Sequence, residues 1–121
     1  MATITPTTDR NTAAGATLVT WDAMATGDSG AAFGLNAAAD ITIQVSGTFD
    51  GSTVTFQGSN DGTHWHALTQ RGGTTNMAYT AAANHACNEM PAFIRPNITA
   101  GTGSGLKVTA AIFYRYGKSP L

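Results

Sequence analysis

A chain of 121 residues suits one domain, large enough to bury roughly two-thirds of the surface its unfolded form exposes. Only 11% of its residues are charged and 42% are hydrophobic, against about a quarter charged in ordinary soluble domains, so the surface is polar but nearly uncharged and suited to docking against copies or partners. The net charge is −1, and Arg10, Arg71, Arg95, Lys107, Arg115 and Lys118 are scattered, which disfavours nucleic-acid binding. No run approaches the roughly eighteen apolar residues of a membrane span, and the start lacks a basic segment followed by an apolar one. Neither a membrane partner nor a signal peptide is expected. Cys87 stands alone and cannot form an internal disulfide.

In chain order, residues 1–16 have no period, carry Pro6 and many Thr and Ala, and read as an extended N-terminal arm. A strand is expected at 17–24 with Val19, Trp21 and Ala23 on one face. A Gly/Ala/Ser/Asn linker follows at 25–40, with Phe33 and Leu35 as its large apolar side chains. The clearest signal is ITIQVSGTF, 41–49, where Ile41, Ile43, Val45 and Phe49 alternate with polar residues. Asp50-Gly51 supplies a turn, and TVTFQGS, 53–59, resumes the period with Val54 and Phe56 inward, so 41–59 is expected to be a hairpin. A strand is expected at 63–70 with Trp65 and Ala67 inward, and a short one at 77–80. Residues 81–89 read as a loop. MPAFIRPNI, 90–98, alternates but contains Pro91 and Pro96, which assigns it to a sheet edge or a bulge. After a Gly-rich turn, 106–116 places Leu106, Val108, Ala110, Ile112 and Tyr114 on one side.

Seven to eight short strands with Gly-rich turns and no amphipathic helix predict an all-β fold: a single antiparallel β-sandwich, jelly-roll-like, over 17–116, with the arm at 1–16 and a tail at 117–121.

The stretch GSNDGTHWHAL, 58–68, holds a turn signal, two histidines and a tryptophan. Asn and Asp bond their own backbone and Gly accepts left-handed dihedrals, so its first reading is a corner between strands. A sharper alternative joins His64 and His66, two apart on a strand and therefore on one face, to His85 and Cys87 as a soft four-ligand zinc site. Pairs with this spacing lack the tight loops of zinc ribbons, and exposed histidines with a small buried thiol are the preferred reading. No metal and no cofactor are expected. No nucleophile elbow places a Ser beside a base, Glu89 is the single glutamate, and the Gly-rich run 101–105 leads into a strand instead of a helix. Catalysis is therefore not expected.

TVTFQGSNDGTHWHALT resembles the strand, turn and aromatic strand of discoidin-like jelly rolls, which often bind sugars or lipids through loop tips. Over residues 17–113, DITIQVSGTFDGSTVTFQGSNDG followed by MPAFIRPNITAGTGSGLKVTAAIFYR resembles the small bacteriophage head decoration, or cement, proteins. That resemblance implies a sandwich, usually trimeric, made in the host cytoplasm and bound to the capsid exterior, where it clamps neighbouring units of the major capsid protein. It implies no catalytic residue. Arg95, in the Phe-Ile-Arg-Pro segment, is expected to pair with a carboxylate or to serve a subunit contact. The arm and tail are expected to reach neighbouring subunits through Ile4, Pro6, Tyr114 and Tyr116 as apolar anchors and Arg10, Arg115 and Lys118 as charged ones. Alternatives are a tail, neck or fibre-associated sandwich, or a carbohydrate-binding module using Trp65 and Tyr79, which requires an exposed aromatic platform.

Overall fold

Two apolar strand faces need each other, and the sequence supplies them in abundance. The computed structural model describes residues 2–13 and 15–115, with the backbone alone for 11–13. Among the described residues there is no helix. Twelve strands form, seven of them four residues or longer. They are β1 (Thr3–Ile4), β2 (Thr7–Ala13), β3 (Ala16–Met24), β4 (Ser29–Gly30), β5 (Phe33–Gly34), β6 (Ala39–Thr48), β7 (Thr53–Ser59), β8 (His66–Ala67), β9 (Ala78–Tyr79), β10 (Ala83–Ala86), β11 (Phe93–Thr99) and β12 (Ser104–Tyr114).

The strands make an all-β sandwich. One sheet has the order β10-β6-β12-β3-β2; the other runs β1-β4-β11-β7-β8, with β5 also on β11 and β9 also on β7. Pairing is antiparallel except between β1 and β4. Val19, Trp21, Ile41, Ile43, Val45, Val108 and Ile112 from the first sheet meet Val54, Phe56, Ile94 and Ile98 from the second in one core. Each such side chain contributes about 1.5–3 kcal/mol by leaving water. Trp21 and Phe56 meet edge to face across the two sheets, 6.4 Å apart at 71°, and the buried indole N–H is satisfied by Ala31 O at 3.0 Å.

The expected hairpin of 41–59 does not form. The inward faces are as the alternation predicts, and Asp50 and Gly51 both have positive φ (41° and 79°), but β6 and β7 lie in opposite sheets. Alternation specifies which face is apolar, not which strand pairs with it, and the same turn residues serve an arch between sheets. The bend begins at Gly47 (φ 123°), where a Cβ would stand 2.5 Å from Gly105 O.

Three further expectations are corrected. In β3 the inward residue after Trp21 is Met24, not Ala23, because Ala23 takes φ 53° and the register with β12 shifts between Leu106 and Val108. The proline-bearing β11 lies inside its sheet, between β7 and the short β4 and β5. Pro96 is accommodated because the flanking strand is broken there: β5 pairs with Phe93 and Ile94 and β4 with Asn97, and Pro96 lies between them. The segment read as a loop at 81–89 contains β10, which pairs with β6 from Ala83↔Val45 to Ala86↔Thr42.

The arm spans both layers. Ala2 N donates to Asp28 Oδ1 at 2.9 Å, Ile4 packs against the core, and β1 edges one sheet while β2 edges the other.

Candidate interaction surface

The 58–68 stretch is first a self-satisfied corner. Ser59 Oγ donates to Asp61 Oδ1 at 2.9 Å and accepts from Gly62 N at 2.9 Å. Asp61 Oδ1 also accepts from the backbone N–H groups of Thr63 (2.8 Å) and His64 (2.9 Å), and Oδ2 lies 2.7 Å from His64 Nδ1. These bonds, led by that from the His64 backbone, hold the Asp61 carboxyl well below the usual carboxylate range.

Past this corner the register differs from the expected one by a single residue. Ala67 is opposite Gln57 and His66 opposite Gly58, so Leu68 turns inward and is buried, while Trp65 stays outside the core, half-buried. Two strand residues, His66–Ala67, carry too little pattern to fix a face, and the large indole misleads. On the outside, the Arg95 guanidinium carbon lies 4.3 Å from the centroid of the Trp65 ring and Arg95 Nε donates to Gln57 Oε1 at 2.9 Å. Within the described residues Arg95 thus meets an amide and an indole instead of a carboxylate, which leaves the expected alternative of a subunit contact.

The candidate metal ligands are kept apart. His64 and His66 line an open hollow at the corner. His85 stacks on Tyr79, 5.4 Å between centroids and 4° between planes. Cys87 is buried, with Sγ 3.4 Å from Glu89 O, and burial pushes its thiol up to about 11. Among the described residues no three His, Cys, Asp or Glu side chains converge as a metal site.

The candidate contact residues are dispersed too. Ile4 and Pro6 are half-buried and Arg10 is exposed on β2. Tyr114, only 5% exposed, faces the core and presents no anchor, because β12 continues its alternation to the end. Among the described residues its hydroxyl has no hydrogen-bond partner. Arg115 Nη2 joins Arg71 Nη2 on Asp40 Oδ1, at 3.0 and 3.1 Å. Both guanidiniums, that of Arg115 first, lower the Asp40 pKa. Tyr116 and Lys118 lie outside the described residues.

Two surface features do stand out. The middle of the outer face of the five-stranded sheet is uncharged: Leu18, Thr20, Thr42, Gln44, Thr109 and Ala111 occupy it, with Asp9, Asp22, Asp40 and Lys107 around it and Phe113, 43% exposed, beside Asp40. The second is the hollow of about 490 Å3 between His66, Leu68, Glu89, Met90 and the 59–61 corner. Met90, 47% exposed, also lines another hollow of about 410 Å3 over residues 35–38 and Ala92. Burial raises the Glu89 pKa, but bonds from Thr69 N (2.9 Å) and Thr69 Oγ1 (2.7 Å) outweigh it and leave the carboxyl below its ordinary value. Sequence reasoning missed this groove because its walls come from three distant segments, each unremarkable in sequence.

The architecture defines the chain as an all-β sandwich of two largely antiparallel sheets. No family model matches the sequence, and no curated protein matches it. Among solved structures it is similar to SPBc2 prophage-derived protein YomS: the likeness covers 78% of this chain and 92% of that one at 12% identity, with a TM-score of 0.57. At that identity the shared property is the fold.

Proposed function

We propose that this chain is a structural protein of a bacteriophage particle, a capsid decoration or cement protein that coats the shell exterior and clamps neighbouring units of the major capsid protein without catalysing a reaction. The observation that carries this reading is the uncharged middle of the outer face of the five-stranded sheet on a sandwich whose fold is similar to that of a prophage-derived protein. Such a face packs against protein without stripping water from many unpaired ions, each of which would cost several kcal/mol. The sequence resemblance to decoration proteins supports the same reading and adds a trimer, in which several modest contacts act together through raised effective concentration. The test is purification of native particles followed by mass measurement and a gel. This chain should travel with the capsid protein at a copy number that follows the shell. Copies that follow the tail would transfer the reading to a tail, neck or fibre-associated protein, and particles lacking the chain would end it.

One observation favours a second reading, a carbohydrate-binding module: Trp65 stands outside the core, although Arg95 already covers its ring. Titration with simple polysaccharides, followed by tryptophan fluorescence, separates the two.

A further inference from the structure

The double hollow around Met90 has the chemistry of a peptide groove. Its floor is apolar, from Leu68, Met90, Pro91 and Leu35, and its rim carries the carboxylates of Asp61 and Glu89 and the amide of Asn60. Among the described residues no Lys or Arg lines either hollow. An extended segment that fits must bring a cation for the rim and a bulky apolar side chain for the floor. This chain contains such a segment in Tyr116-Gly-Lys-Ser-Pro-Leu121, with Lys118 between Tyr116 and the Pro-Leu pair. Six residues reach at most roughly 20 Å when extended, enough to cross from one copy to a groove on an abutting one. The described chain ends with Arg115 N bonded to Ala38 O at 3.0 Å, at the surface of the sandwich.

We infer that the groove around Met90 receives residues 116–121 of a second copy of this chain, with Lys118 set against Glu89 and Asp61 and Tyr116 or Leu121 against Met90 and Leu68. The inference deepens the coat-protein reading, on which it rests, by naming where one copy holds the next. Met90 lines both hollows, where such a segment would cross it. Its unbranched thioether adapts to whatever apolar shape is laid against it.

The test uses the full chain with its methionine methyls labelled for NMR, titrated with a synthetic peptide of residues 115–121. Met90 should shift saturably while buried Met24 and Met77 stay fixed. The same Met90 shift should appear as the chain alone is concentrated. A peptide carrying Lys118→Gln should bind at least roughly threefold more weakly, as expected for an exposed ion pair, and the difference should vanish near 1 M salt, where charges are screened within about 3 Å. Three results overturn the inference: an unmoved Met90, equal binding of the Lys118→Gln peptide at low salt, or a Met90 signal that Lys118→Gln in the full chain alters at every dilution, which would place the segment in its own groove. A chain that coats particles but ignores the peptide overturns this inference alone. A chain that binds the peptide but is absent from particles overturns the coat-protein reading alone.

Discussion

The Arg95 guanidinium lies over the Trp65 indole, 4.3 Å from the ring centroid, on the outer face of a sheet whose inner face meets the other tryptophan, Trp21. The two indoles therefore have opposite duties. Acrylamide should quench Trp65 emission and spare Trp21, and Trp65→Phe should remove the quenchable component. Trp65→Ala should destabilise the fold by about 1 kcal/mol through the lost cation–π contact, whereas Trp21→Ala should cost about 3–5 kcal/mol by opening a core cavity. Denaturant midpoints of the two variants check the contrast.

Gly30 is fixed by a close approach between layers. A Cβ there would stand 2.5 Å from Pro96 Cδ and 2.6 Å from Trp21 Cδ1, both held in place by the core. Gly30→Ala should destabilise by about 1–3 kcal/mol as an overpacked site. Gly73, where a Cβ meets nothing within 4 Å, serves as the control, and Gly73→Ala should change stability by less than about 0.5 kcal/mol.

Tyr114 buries a hydroxyl that bonds nothing among the described residues. Removing an unsatisfied polar group of this kind is neutral or favourable, so Tyr114→Phe should leave stability unchanged or raise it by about 1 kcal/mol. A marked loss in thermal unfolding would show that the hydroxyl has a partner after all.

Alkali should weaken the fold through two protons. Burial pushes the Cys87 thiol from 9.0 up to about 11 and, with the Cys87 charge adding to it, the Tyr79 phenol from 10.0 up to about 12. The folded chain keeps protons that the unfolded chain has released, so stability is intact below pH 9 and declines between pH 9 and 12. Cys87→Ala should remove the decline between pH 9 and 10 and lessen it between pH 10 and 11, where the Tyr79 phenol still contributes. At neutral pH the native thiol should react with disulfide reagents only after unfolding. In acid the sign reverses. Asp40, Asp61 and Glu89 have lowered pKa values in the fold, so what they contribute is present above about pH 4 and fades below it.

The layers were legible in sequence where alternation was long. Ile41, Ile43, Val45, Val54 and Phe56 all face inward as their period requires, and the 59–62 turn closes on its own side chains as its residue types demand. What alternation does not encode is pairing. Nothing local distinguishes a hairpin over Asp50-Gly51 from an arch, because both need positive φ at the same two residues. Pro96 reads as an edge signal, but the gap that admits it belongs to another segment, between β4 and β5. Trp65 misled through its size, since two residues of β8 offer no period to weigh against it. The groove around Met90 was out of reach altogether. Its two faces are joined only once the 35–38 loop, the corner and the 89–92 crossing have come together.

The place of β12 in its sheet has a consequence for how the chain is made. β12 lies between β6 and β3, so a nascent chain can thread out β3 and β6 without either of them finding a mate for the side that β12 will fill. Closure of that layer waits for the final strand to leave the ribosome, long after its neighbours have emerged. Until then the backbone edges of β3 and β6 that β12 will pair with remain open to water or to a chaperone. A copy that stops short of residue 104 lacks the strand that joins β6 to β3.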